Sequence, residues 1–132
     1  LIDLDHFKRF NDTYGHLAGD AWLQRIGATL PGLLPEGASA ARYGGEELCV
    51  LLPGHGPADA MKIAERLRAS IAGLGSEALG AGGDAMAVTA SIGVAACIPD
   101  ADQRPDLLIA RADRALYAAK AAGRDRVAAD GD

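Results

Sequence analysis

Apolar and polar residues alternate at the start of the chain. Ile2 and Leu4 fall on one side and Asp3 and Asp5 on the other, which predicts the end of a β-strand. Phe7, Phe10 and Tyr14 then recur at helical spacing, and Gly15 is placed to stop a short helix. Asp20 is the expected cap of a second helix, whose apolar positions are Leu23, Ile26, Gly27 and Leu30 and which Pro31 ends. A loop over 31–39 leads to two strand-like runs, 40–43 and 46–52. Gly44-Gly45 between them reads as a tight hairpin turn, whose central residues favour φ > 0.

Farther along, Ala60, Ala64, Leu67 and Ile71 mark a third helix over 57–72, followed by a glycine-rich loop over 73–84. Segment 88–98 reads as a strand with Val88, Ala90, Ile92 and Val94 on one face. Segment 105–122 reads as a long helix on Leu108, Ala112, Ala115, Leu116 and Ala119, closed by Gly123, and 126–129 as a short edge strand. The order β-α-α-β-β-α-β-α predicts an α+β fold, a mainly antiparallel central sheet flanked by helices.

Composition narrows the class. A chain of 132 residues, 49% apolar and 23% charged, is the size of one globular domain with a real core. No apolar run approaches the roughly 20 residues needed to span a bilayer, so no membrane contact is expected of this segment. The net charge of −5 argues against a general nucleic-acid binder, which needs a basic face. A nucleotide remains a possible ligand, provided metal ions or local cations offset its charge. Cys49 and Cys97 lack metal spacing and read as buried free thiols, which fits a reducing, cytoplasmic setting. The abrupt start at Leu1 reads as a chain cut from something longer, whose upstream part is free to supply a membrane attachment.

The candidate chemistry lies in the carboxylates. If the first strand neighbours the hairpin, Asp3, Asp5, Glu46 and Glu47 bring several negative charges close together, which is unfavourable unless they are neutralised. Such an oxygen-only ledge suits Mg²⁺, which takes one or two protein carboxylates and leaves its other positions to water and phosphates. On their own, these residues equally read as solvated strand ends. Likewise, Lys8 alone reads as a surface lysine, Lys120 and Arg124 as a solvated helix end, Asp20 as a cap, and Asn11 as bonded to its own backbone.

The string Arg42-Tyr43-Gly44-Gly45-Glu46-Glu47-Leu48 resembles the signature of the GGDEF family of diguanylate cyclases. Asp3-Leu4-Asp5-His6-Phe7-Lys8, with Asn11-Asp12, Gly15-His16 and Gly19-Asp20, is similar to that family's first motif. Thr89-Ala90-Ser91-Ile92-Gly93-Val94-Ala95 resembles its later strand, and 113–124 its last helix. The resemblance implies a single catalytic domain over 1–132, with a nucleotidyl cyclase or polymerase palm (ferredoxin-like) core. The family's opening helix is missing from this sequence, and its regulatory domain is expected upstream.

The implied activity is condensation of two GTP into cyclic di-GMP and two pyrophosphates, one GTP per subunit of a homodimer. The resemblance gives Mg²⁺ (or Mn²⁺) to Asp3, the Leu4 carbonyl and Glu46, with Glu47 near a second metal. It makes Glu46 the proton acceptor as well and Lys8 a charge stabiliser. Asn11, His16 and Asp20 are assigned to guanine, Phe7 and Leu23 to the pocket walls, Gly44 to close approach of the ligand, and Lys120 and Arg124 to the β- and γ-phosphates.

The sequence also departs from the family. Pro35 and Ala38 stand at the positions of its inhibitory Arg-x-x-Asp pair, so the usual product-inhibition site is expected to be lost. Leu48 replaces the usual Phe, and Asp125 a common Asn. The alternatives are a catalytically inactive GGDEF domain sensing GTP or cyclic di-GMP, a palm-type cyclase or polymerase with another substrate, and a structural interaction domain.

Overall fold

In the computed structural model, residues 1–74, 88–101 and 104–131 are described. The chain runs β1 (Ile2–Leu4), α1 (Phe7–Tyr14), α2 (His16–Thr29), a 3₁₀ turn (Leu30–Leu33), β2 (Ser39–Arg42), β3 (Glu47–Leu51), α3 (Pro57–Gly73), β4 (Ala90–Val94), α4 (Pro105–Ala121) and β5 (Val127–Ala129). The predicted order of elements is therefore present. The strands form one sheet in the order β2-β3-β1-β4-β5. It is a mixed sheet, since β4 and β5 pair in parallel while every other neighbouring pair is antiparallel. A parallel pair needs a crossover, and α4 supplies it.

Alternation along the strands sorts the two faces. Ile2, Leu4, Leu48, Ala90 and Ile92 join one core with Phe7, Phe10, Trp22, Ile26 and the α3 stripe of Ile63, Ala64, Leu67 and Ile71. Burying each of the larger aliphatic side chains contributes about 1.5–3 kcal/mol. The other face is covered by α4 through Ala112, Ala115, Leu116 and Ala119. A Cβ on Gly93 would come within 2.2 Å of the Ala112 carbonyl oxygen and 2.3 Å of the Leu116 nitrogen, so a glycine is required where helix meets sheet.

Several local expectations are corrected. Asp20 is not a cap: Gly15, at φ +88°, ends α1, α2 begins directly at His16, and Asp20 lies exposed inside the helix. The buried stripe of α2 is Gly19, Trp22 and Ile26, continued by Leu30 in the 3₁₀ turn, while Leu23 is half-buried and Gly27 exposed. The 31–39 loop includes the end of the 3₁₀ turn, because Pro31 lacks the N–H that would extend the α-helix but tolerates a helix's first turn. The strand expected over 88–98 forms only at Ala90–Val94, because both neighbouring strands are just three residues long. The long helix stops at Ala121, leaving Arg124 beyond it. Cys49 and Cys97 are free but half-buried. The expected 73–84 loop lies, from residue 75 onward, outside the described residues.

Gly44-Gly45 is not a two-residue turn. Arg42 pairs with Leu48, and the connection between β2 and β3 is a wider loop, closed by hydrogen bonds from the Tyr43 and Gly44 amides to the Glu47 carbonyl at 2.8 and 3.2 Å. Neither glycine has positive φ. What the loop uses at Gly44 is the missing side chain: a Cβ there would sit 3.0 Å from a Glu47 carboxylate oxygen.

Candidate active site

The register of the sheet brings the acidic residues together. β1 lies between β3 and β4, with Asp3 opposite Glu47 and Ser91. The Leu4 amide donates to the Glu46 carbonyl at 3.2 Å, so the glycine loop is tied to the end of β1. Asp3, Asp5, Thr89 and Ser91 all point to the α4 face, as alternation requires. The solvated reading of the strand end fails for Asp3 and Asp5, which are both only 6% exposed.

The last turn of α4 offsets this charge. Lys120 Nζ lies 2.9 Å from Asp3 Oδ2. Glu46 is half-buried, and its carboxyl is pushed above its ordinary value by burial first and by the Asp3 charge next; Lys120 opposes the shift and Glu47 adds to it. The pocket thus concentrates negative charge that an ammonium only partly offsets, and a divalent cation fits that need. Among the described residues no group of three or more His, Cys, Asp or Glu forms a closed metal cage. Mg²⁺ needs no such cage, since it takes one or two protein carboxylates and leaves its other positions to water and phosphates.

Arg42 braces the loop in a way the sequence did not disclose. Its Nε donates to the Gly44 carbonyl at 3.1 Å and its Nη2 to the Gly45 carbonyl at 2.6 Å. The guanidinium fork therefore fixes the backbone that precedes Glu46.

A second group of residues meets where α1 packs on α2. A Cβ on Gly19 would lie 1.8 Å from Asn11 Oδ1 and 3.2 Å from the Phe7 ring, so the glycine makes room for both side chains. Asn11 Oδ1 is buried without a hydrogen-bond partner, as is Trp22 Nε1 in the core, and each is an exception among buried polar atoms. Phe7 is itself buried and stacks on Phe10 at 5.9 Å, so it belongs to the core as well as to this corner.

Next to Gly19, Asp20 and Leu23 line a cavity of about 600 Å³, whose other walls include Leu34, Ala38, Arg42 and Leu48. That volume is in the range of small-molecule sites. His16 is exposed at the first position of α2, and Lys8 and Arg124 are exposed on α1 and beyond α4. Another, apolar cavity of about 180 Å³ between α3 and the far ends of β3 and β4 holds none of these residues.

Asp5 is the buried group whose task the sequence left open. Its Oδ1 accepts from Ser91 Oγ at 2.7 Å, and its Oδ2 from Thr89 Oγ1 at 2.7 Å and the Asp125 amide at 3.0 Å. Its partners come from 84 to 120 positions away, so no local pattern could reveal them.

Comparison with known proteins agrees with this geometry. Residues 1–126 match the family described as diguanylate cyclase, GGDEF domain. Over 127 residues the chain is 42% identical both to diguanylate cyclase DgcP of Pseudomonas aeruginosa and to response regulator PleD of Caulobacter vibrioides. In each case 96% of this chain is covered. It spans only 18% and 28% of the length of those relatives. The GGDEF domain of DgcB from Caulobacter crescentus, solved in complex with c-di-GMP, superposes with a TM-score of 0.89 at 34% identity, covering 99% of this chain and 75% of that one. Diguanylate cyclase SiaD of Pseudomonas aeruginosa, solved with its activator SiaC, gives a TM-score of 0.85 at 38% identity over 97% of this chain and 47% of that one. With its acidic strand end, glycine loop and basic helix end in one place, and with these relatives over nearly its whole length, the chain belongs to the GGDEF domain family.

Proposed function

We propose that this domain is a diguanylate cyclase half-site, which joins two GTP molecules into cyclic di-GMP when two copies face each other. The observation that carries this reading is the pairing of Asp3 with Glu47 beside the Gly44-Gly45 loop, with Lys120 held at Asp3. Asp3, Lys8, Glu46 and Glu47 are all present, so nothing favours the inactive-sensor alternative.

In this reading the 3′-hydroxyl of one GTP attacks the α-phosphate of the other and pyrophosphate leaves in line. Asp3, the Leu4 carbonyl and Glu46 hold Mg²⁺ or Mn²⁺, with Glu47 close by, and the bound metal supplies charge stabilisation at the phosphates. Glu46 also accepts the hydroxyl proton in this reading, a role open to a carboxylate placed beside the glycine loop. Lys8 stabilises charge on the phosphates, and Lys120 and Arg124 take the β- and γ-phosphates. Asp20 accepts from the guanine N1–H and N2–H, and the Asn11 amide, whose oxygen lacks a partner, completes recognition of the base. Leu23 and Phe7 wall the pocket, Gly44 admits the ligand and His16 stands at its rim.

Each copy binds one GTP, so catalysis needs a two-fold homodimer, and specific activity is expected to rise with concentration. Pro35 and Ala38 carry neither guanidinium nor carboxylate, so the domain lacks the usual Arg-x-x-Asp inhibitory site. The test combines substrate choice with product titration. GTP is expected to be turned over and ATP not, with discrimination lost in Asn11→Ala and Asp20→Ala. Cyclic di-GMP is expected to inhibit only by competing with GTP. Equal use of ATP by the unaltered protein would overturn the guanine assignment. Tight noncompetitive inhibition would overturn the loss of the inhibitory site.

A further inference from the structure

The turn between α4 and β5 has an unfavourable backbone. Gly123, Arg124 and Asp125 follow one another at φ +119°, +63° and +43°. Glycine adopts such angles freely, but residues with a Cβ do so at a cost, and two in succession persist only when their surroundings hold them. Four contacts do so here. The Arg124 amide donates to the Ala119 carbonyl at 3.0 Å, and Arg126 Nε donates to the Arg124 carbonyl at 2.9 Å. The Asp125 amide donates to buried Asp5 at 3.0 Å. From the α3 side, Arg68 Nη1 meets Asp125 Oδ1 at 2.6 Å while its Nη2 holds Glu65 Oε1 at 2.6 Å.

The two outer anchors are themselves fixed. Asp5 is fastened to β4 through Thr89 and Ser91, and Arg68 is only 20% exposed between its two carboxylates. Both anchors act on Asp125, the residue directly after Arg124. We propose that Asp5 and Arg68 are positioning residues that clamp the Arg124–Asp125 turn and so fix Arg124 where the triphosphate tail lies. The inference rests on the reading that Arg124 binds the β- and γ-phosphates. Asp125 then does more than add a charge beside Arg124: its side chain joins the site to α3, and its amide joins it to Asp5, just past the end of β1.

The test compares two probes that do not react: 3′-deoxy-GTP, which lacks the attacking hydroxyl, and GMP, which lacks the β- and γ-phosphates. Binding of each is measured by calorimetry with Mg²⁺ to the protein and to Arg68→Ala, Asp125→Ala, Asp125→Asn, Asp5→Asn and Arg124→Ala. Arg68→Ala removes a partly buried ion pair, so circular dichroism and melting of each variant are recorded beside the binding measurements. Arg68→Ala and Asp125→Ala are each expected to weaken 3′-deoxy-GTP by about fivefold, the scale of one partly exposed ion pair, and to leave GMP unchanged. Asp125→Asn is expected to retain wild-type affinity, because Asn tolerates left-handed backbone and still accepts from Arg68. Asp5→Asn replaces an acceptor with a donor and is expected to follow Arg68→Ala.

If Arg124→Ala weakens 3′-deoxy-GTP while Arg68→Ala and Asp125→Ala do not, the clamp is overturned and the phosphate reading stands. If GMP affinity falls in step with 3′-deoxy-GTP, the variants loosen the whole domain and the clamp is again overturned. If Arg124→Ala changes neither probe, the phosphate reading fails and the clamp's role fails with it.

Discussion

The Lys120 ammonium lies 2.9 Å from the Asp3 carboxylate, joining the last turn of α4 to the middle strand of the sheet. Asp3 is nearly buried and Lys120 about one-third exposed, so the pair is only partly screened. The same lysine is proposed to serve a phosphate, and a metal ion is proposed to take its place at Asp3. On that proposal the contact is the resting arrangement of a site that exchanges one cation for another.

Lys120→Ala leaves Asp3 as a nearly buried carboxylate without its ion-pair partner. The expected loss of stability without metal is about 1–2 kcal/mol, reduced from the fully buried case by screening. Adding Mg²⁺ is expected to raise the melting temperature of the variant more than that of the wild type, because no ammonium competes. A variant that melts as the wild type does and ignores Mg²⁺ would show that the contact has no such role. In the metal-free variant the Glu46 carboxyl is expected to titrate still higher, since Lys120 holds it down in the wild type. Carbon-detected NMR of labelled glutamate reads this directly.

Gly19→Ala puts a Cβ where Asn11 Oδ1 now sits, at 1.8 Å. The Asn11 side chain has to leave its buried position, at a cost of about 1–3 kcal/mol as in other overpacked sites. GTP affinity is expected to fall along with stability, and a Gly19→Ala protein that binds GTP normally would separate Asn11 from the base. Gly93→Ala meets only helix backbone and is expected to be worse for folding, because backbone cannot turn aside. Denaturant unfolding of the two variants gives the comparison.

Asp130 supplies a pH dependence remote from the candidate site. Hydrogen bonds from Arg111 first, and from Arg114, hold its carboxyl below the ordinary value of 3.8. A carboxyl lowered in the folded state contributes stability fully above its unfolded value, and that contribution is lost as pH falls through the folded value. Arg111→Ala is thus expected to be less stable near neutrality, with the gap from wild type closing as pH drops below about 3.8. Urea unfolding across that range would show a constant gap if the pair were irrelevant.

Arg42→Ala removes both hydrogen bonds to the glycine-loop carbonyls, at 3.1 and 2.6 Å. Arg42 is exposed, so folding is expected to change by less than about 1 kcal/mol. Activity is expected to fall more than tenfold, because the loop carrying Glu46 loses its brace. Unchanged turnover would mean that the backbone bonds of the loop, from Leu4 to Glu46 and from Tyr43 and Gly44 to Glu47, fix it without the guanidinium.

What was legible in the sequence was short-range. The α1 triad of Phe7, Phe10 and Tyr14, the stop at Gly15 and the α3 stripe from Ala60 to Ile71 follow from local spacing, and all are found where that spacing puts them. Asp20 misled because capping chemistry is also local, yet Gly15 had already ended one helix and begun the next. The glycine pair reads locally as a positive-φ turn, whereas neither glycine has positive φ and Gly44 instead leaves room beside the Glu47 carboxylate. Asp5 and Arg68 stayed hidden for a different reason. Their partners Ser91 and Asp125 become neighbours only once β4 and the turn before β5 are in place, and no periodicity encodes that.

The central claim is tested most directly by the product. The protein is incubated with GTP and Mg²⁺, and the nucleotides are separated and identified by mass. Cyclic di-GMP and pyrophosphate are expected, and neither is expected from Glu46→Gln, although that variant still binds GTP. A protein that binds GTP but yields no cyclic di-GMP at any concentration, or a Glu46→Gln variant as active as the wild type, would contradict the account.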